Sequence, residues 1–147
     1  MSLGPVLRPY RTKCQRTKCT GLSAKGPGAC RREERIAKAI VAAAYAVHSA
    51  LGPGLLENVY EVYFCHELTK RGLSFRRQVV VPIVYDGITF DEGLRLDVLV
   101  EDLVICELKA VQTMHPVFLA QLLTQRCPEL VEGLKLTGKR LGFLINF

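Results

Sequence analysis

Asp97, Glu107 and Lys109 interrupt one apolar run, GLRLDVLVEDLVICELKA, from Gly93 to Ala110. Burying a charge costs several kcal/mol unless it is paired or bound to a metal, so three charges in such a run need a shared purpose. Two leucine-rich, β-branched segments flank Glu101-Asp102, which reads as a hairpin of two largely buried strands. Side chains alternate along a strand, so Glu107 and Lys109 project to one face and Leu108 to the other. A two-residue turn at Glu101-Asp102 would pair Asp97 with Cys106; an odd loop or a bulge near residues 100–103 would set Asp97 opposite Glu107. The odd arrangement is expected. Two carboxylates and an ammonium on one face suit a hard divalent cation that keeps some of its waters, and with it phosphodiester hydrolysis. The competing reading is a cross-strand ion pair on a solvated face.

The elements that must position these residues follow from periodicity. Ile36, Ile40, Ala43, Val47 and Leu51 recur at three- and four-residue steps, predicting a helix from about Glu33 to Leu51, with His48 near its end as a cap. Gly52-Pro53-Gly54 breaks it, and a second helix is expected from Leu55 to Arg71, before Gly72. That helix opens with GLLENVY, which sets Glu57 and Tyr60 on one face near the positive end of the dipole. The plain reading is a first-turn glutamate beside a core tyrosine; the functional one makes Glu57 a further acid of the site. Phe75–Tyr85 and Ile88–Phe90 flank Asp86-Gly87, a hairpin turn signal, with Pro82 confining the first strand to an edge. Arg76-Arg77 sit at its exposed start. Pro116 should open a helix carrying Phe118, Leu119, Gln121, Leu122 and Leu123, and Leu141–Phe147 reads as a short strand.

A chain of 147 residues, 49% hydrophobic, fits one packed domain. Its net charge of +6 is unevenly spread: residues 1–32 carry eight Lys/Arg and no acid, whereas residues 33–147 carry twelve basic and fourteen acidic residues. The basic excess belongs to a Gly/Pro-studded stretch that reads as a disordered tail, so it is weak evidence for nucleic-acid binding by the body. Six cysteines without a CxxC or paired zinc spacing fit reduced thiols, and no apolar leader or spanning segment appears; a soluble cytoplasmic protein is expected.

The segments VHSALGPGLLENVYE, RQVVVPIVYDG, LRLDVLVEDLVICELKA, AQLLT and LKLTGKRLGFLINF, taken in order, closely resemble the bacterial GxxExxY proteins, a family assigned to the PD-(D/E)XK nuclease superfamily. The likeness runs from about Ile36 to Phe147. It implies an α/β fold, a mixed β-sheet flanked by helices with a restriction-endonuclease-like core, and a metal site on the central strands. By match to the motif, Asp97 and Glu107, with the Leu108 carbonyl, would hold Mg²⁺ or Mn²⁺, and Lys109 would be the catalytic lysine. Glu57 matches the signature glutamate, resembling a helix-borne acid of related nucleases, and Gln121 matches a glutamine that follows the lysine strand.

Three departures bear on this expectation. QRCPELVEG, residues 125–133, stands where the family usually has one aromatic residue. With Pro128 and Gly133 as breakers, the helix carrying Gln121 should stop near Cys127 and Leu134–Gly138 should dock through a loop. The tail before Glu33 has no recognised counterpart. The sequence ends at Ile145-Asn146-Phe147, where relatives commonly continue, so an open sheet edge and a homodimer are expected. The reading is therefore residues 1–32 as a tail and 33–147 as a metal-dependent nuclease domain acting on DNA, with no membrane partner. Its rivals are a nuclease-fold protein that binds nucleic acid or a partner without turnover, and a structural ion-pair cluster in an unrelated domain.

Overall fold

The computed structural model of the chain describes residues 5–11, 27–110 and 128–147. Helix α1 spans Pro27–Leu51 and α2 spans Glu57–Lys70. Strands β2 (Phe75–Tyr85), β3 (Ile88–Val100) and β4 (Val104–Lys109) follow. Helix α3 (Pro128–Thr137) and strand β5 (Leu141–Asn146) come last, and β1 (Val6–Arg11) lies near the start. The five strands form one sheet in the order β1-β5-β4-β3-β2. The β4/β5 pair is parallel and the others antiparallel, so the sheet is mixed, as expected.

Apolar periodicity decides the layers. Ile36, Ile40, Ala43 and Val47 of α1 and Tyr60, Phe64 and Leu68 of α2 pack with Val98, Val104, Cys106, Leu108 and Phe143 to make one core. A smaller core lies on the other face, where Leu130 and Leu134 of α3 meet Leu96, Leu99, Ile105 and Leu144. Each helix stop has a backbone cause. Gly52, at φ 67°, donates to the His48 carbonyl at 2.8 Å and ends α1. Gly72, at φ 69°, ends α2, with the Leu73 N–H returning to the Leu68 carbonyl at 3.1 Å.

Three expectations are corrected. Residues 6–11, expected in a disordered tail, form an antiparallel strand on β5, and α1 begins at Pro27 rather than near Glu33. Unpaired N–H and C=O groups along a strand attract a further strand, and β1, with Pro9 lacking an N–H, suits an outermost position. The open β5 edge, the reason for expecting a homodimer, is therefore covered. Pro128 and Gly133, read as breakers, both belong to α3. Proline is tolerated at a first helical position, and Gly133 permits close packing, since a Cβ there would come within 2.7 Å of the Leu96 side chain. The helix expected after Pro116, with Gln121 and Cys127, lies outside the described residues.

The β3/β4 connection has the expected odd register. Val98 pairs with Cys106 and Val100 with Val104 across a three-residue loop, so Asp97 stands opposite Glu107 by continuation. Glu101 and Asp102 take left-handed backbone, φ 53° and 54°, to close that loop. The Glu101 carboxylate anchors it by accepting from the Ser74 N–H at 2.8 Å, the Ser74 hydroxyl at 2.9 Å and Arg32 at 2.8 Å. Those donors, the Ser74 N–H foremost, hold its carboxyl down at about 2. A carboxyl lowered on folding contributes stability above its ordinary value near 4.5 and loses it as pH falls toward 2. Glu101→Gln should therefore lower the thermal midpoint at pH 7, with the deficit closing toward pH 2; calorimetric scans of both proteins across that range check it.

Candidate functional site on the β3/β4 fork

The ladder between β3 and β4 ends at Val98 and Cys106, and beyond it the strands part. There the Leu108 N–H donates to Asp97 Oδ2 at 2.8 Å, so a side chain replaces the missing strand partner. One residue along β4 on either side, Lys109 Nζ meets Glu107 Oε1 at 2.9 Å. Glu107 is buried, at 4% exposure, whereas the Lys109 side chain is about one-third exposed, at 34%. A charge-assisted contact from a partly exposed ammonium to a buried carboxylate compensates the latter's lost hydration.

Asp97 owes its place to a kink that periodicity alone does not show. Leu96 packs on the α3 side, yet Val98, two residues on, packs beneath α1 and α2. On β2 the same change occurs: Phe75 packs with the α1/α2 core and Val79 with the α3 core. Between them Gln78 adopts φ 49°, and the Gln78/Asp97 position is skipped in a register that otherwise runs Arg77↔Val98 and Val79↔Leu96. A left-handed non-glycine residue costs about 1–3 kcal/mol and needs surrounding contacts to hold it.

Those contacts come from Glu61 on α2, a residue the sequence reading did not single out. It is buried, at 6% exposure, and accepts from Arg77 Nε at 2.6 Å and Gln78 Nε2 at 2.7 Å. The available signal was its place four residues after Glu57, on the same helical face. Glu57 itself opens α2 and lies exposed. Burial raises the Glu57 carboxyl, Lys109 opposes the rise, and Asp97 and Glu61 add to it. Burial likewise raises Asp97, against the Leu108 N–H and Lys109, with Glu61 adding to the rise. Glu57, Glu61, Asp97 and Lys109 thus share one electrostatic field. The nearby Cys65 thiol is pushed up to about 11 by burial, and Cys106 is pushed up as well, so neither is a ready thiolate.

The buried tyrosine of α2 has a definite job. Tyr60 donates its hydroxyl to the Gly52 carbonyl at 2.6 Å and accepts from the Leu55 N–H at 3.2 Å, tying down the loop that leads into Glu57. Its ring stacks on Phe147 at 4.6 Å, and the Phe147 N–H donates to the Lys109 carbonyl at 3.0 Å. The start of α2 and the lysine strand are joined through that ring pair.

The sequence profile of the PD-(D/E)XK nuclease superfamily matches residues 34–147. The chain belongs to that superfamily. No curated protein and no solved structure matches it. Nucleases of this superfamily typically use divalent metal ions. Among the described residues the donors at the fork are hard carboxylate oxygens, which fits a cation of the Mg²⁺ type held by one or two carboxylates and water. Among the described residues no three His, Cys, Asp or Glu side chains stand close enough to hold an ion, so Glu57 is not drawn into one cage with Asp97 and Glu107. Gln121, expected at the site, lies outside the described residues.

Removing the Tyr60 hydroxyl takes away two hydrogen bonds while leaving the stack on Phe147. Tyr60→Phe should lower unfolding stability by about 1–3 kcal/mol, read by urea titration, because the Leu55 N–H and Gly52 carbonyl lose their partner.

Proposed function

We propose that the protein is a metal-dependent nuclease that hydrolyses phosphodiester bonds of DNA, using Mg²⁺ or Mn²⁺. The observation that supports this reading is the Asp97 carboxylate bound to the Leu108 N–H where β3 and β4 part, beside Glu107 and Lys109, which pair with each other on the same strand. The narrower resemblance to the GxxExxY proteins supports it, as does the usual chemistry of the superfamily. In this reading Asp97 and Glu107, with the Leu108 carbonyl, hold the ion, and Glu57 holds a water just outside. The ion supplies charge neutralisation at the phosphate and a more acidic bound water.

The remaining roles fall to the chain. The Asp97 carboxylate is oriented by the Leu108 N–H, so it need not reorganise when substrate arrives. Lys109 would orient the attacking water or meet charge on the scissile phosphate, and Glu107 would supply a carboxylate to the cation. Gln121 would contact the site from the segment after β4. Among the described residues no helix is long and apolar enough to cross a membrane, and the buried free thiols Cys65 and Cys106 suit a reducing cytoplasm.

The test is digestion of plasmid and single-stranded DNA with Mg²⁺, with RNA alongside. Wild type should cut DNA, Asp97→Ala should be inactive, and Lys109→Ala should lose roughly 100-fold or more in rate when assayed well below its thermal midpoint, which falls because buried Glu107 loses its ammonium partner. Calorimetric Mn²⁺ binding should vanish in Asp97→Ala. Cleavage unchanged in Lys109→Ala removes the lysine from the reaction, and metal binding without any cleavage removes the nuclease reading.

A further inference from the structure

In a regular strand, neighbouring side chains point to opposite faces, so one carboxylate cannot receive both. Glu61 does receive two: Arg77 at Oε1 and Gln78 at Oε2, at 2.6 and 2.7 Å. It can do so only because Gln78 takes left-handed backbone at φ 49°. Directly across the β2/β3 pair from that residue lies Asp97, at the skipped position of the register. The kink and the site carboxylate thus share one rung of the sheet.

We infer that Glu61 is a positioning residue for Asp97: by binding consecutive side chains of β2, it holds the kink that carries β3 from one face of the sheet to the other and delivers Asp97 to the Leu108 N–H. This rests on Asp97 being the site carboxylate of the proposed nuclease, although the geometry itself can be read without catalysis. Two facts keep the kink from relaxing into ordinary pairing. Val79 and Leu96 are committed to the α3 core, whereas Phe75 and Val98 are committed to the α1/α2 core, so straightening either strand would pull apolar side chains out of one of them. Losing Glu61 therefore loosens the rung instead of regularising it. The helix face that carries Glu57 then also sets the strand that carries Asp97, since Glu57 and Glu61 are one turn apart on α2.

Glycine adopts left-handed backbone without help, which gives a test that separates a hold on the kink from any other role of a buried carboxylate. Amide exchange of the full chain, followed by NMR, reads the Leu108 N–H against the Phe147 N–H, whose partner is the Lys109 carbonyl. In Glu61→Gln, which keeps the volume but loses an acceptor, Leu108 exchange should speed up about tenfold relative to Phe147, and DNA cleavage should fall with it. In the double variant Glu61→Gln/Gln78→Gly both should return to within about threefold of wild type, because the kink no longer needs the clamp. Unchanged Leu108 exchange in Glu61→Gln overturns the inference, and so does a double variant that fails to recover. If Glu61→Gln does not fold, the same comparison is made with Glu61 intact: Gln78→Leu should show fast Leu108 exchange and Gln78→Gly should not, and equal behaviour of the two overturns it. The exchange pattern without cleavage by any variant, wild type included, leaves the positioning role standing and ends the nuclease reading alone.

Discussion

A carboxylate can sit within a β-sheet only where the sheet opens for it. Asp97 is half-buried between two strands, and the price of that burial is met by a backbone N–H that a regular ladder would have committed elsewhere. The parting of β3 and β4 past Val98 and Cys106 is therefore the constraint on which the site depends. It frees the Leu108 N–H for Asp97 and leaves Glu107 and Lys109 paired with β5 but outside the β3 ladder. Both cores serve that parting, since each claims residues from β2 and β3 on opposite sides of the kink.

The helical layer does more than cover the sheet. Along α2, Glu57 shares the electrostatic field of Lys109 and Asp97, Tyr60 ties the preceding loop and stacks on Phe147, and Glu61 grips Arg77 and Gln78. Phe64, the next turn along, meets the Phe147 ring edge-on at 6.4 Å. A short motif that reads as a signature for chemistry is thus largely a set of attachments. It fixes one helix end relative to two strands, and the charged residues inherit their positions from it.

Residues 6–11 and 128–137 both join the sheet's packing. The sequence around Pro128 and Gly133 builds α3, which buries Leu130 and Leu134 against Leu96, Ile105 and Leu144. Close approach at Gly133 and at Gly142, where a Cβ would meet the Leu130 side chain at 2.6 Å, lets the helix lie low on the sheet. Residues 6–11 cover the far edge along β5. Through Leu96 and Ile105, α3 packs directly on the two strands that carry Asp97 and Glu107.

Residue order alone carried most of α1, α2, the strands β2 to β5, the superfamily motif and the odd β3/β4 register, because each rests on local rules: a 3.6-residue apolar period, alternation along strands, and a loop whose length decides pairing. Asp97, Glu107 and Lys109 were legible as candidates because charge in an apolar run is expensive. What remained hidden depends on contacts between residues far apart in the chain. The face change at Gln78 is invisible to alternation rules because it violates them, and it persists only because Glu61, on another element, holds it. The strand at residues 6–11 is interrupted by Arg8 and Pro9 and pairs with β5, and Gly133 looks like a breaker until Leu96 is known to lie beneath it. Local sequence chose the side chains that could perform hydrolysis, whereas the packing of α2 and α3 against opposite faces of one sheet decided where those side chains stand.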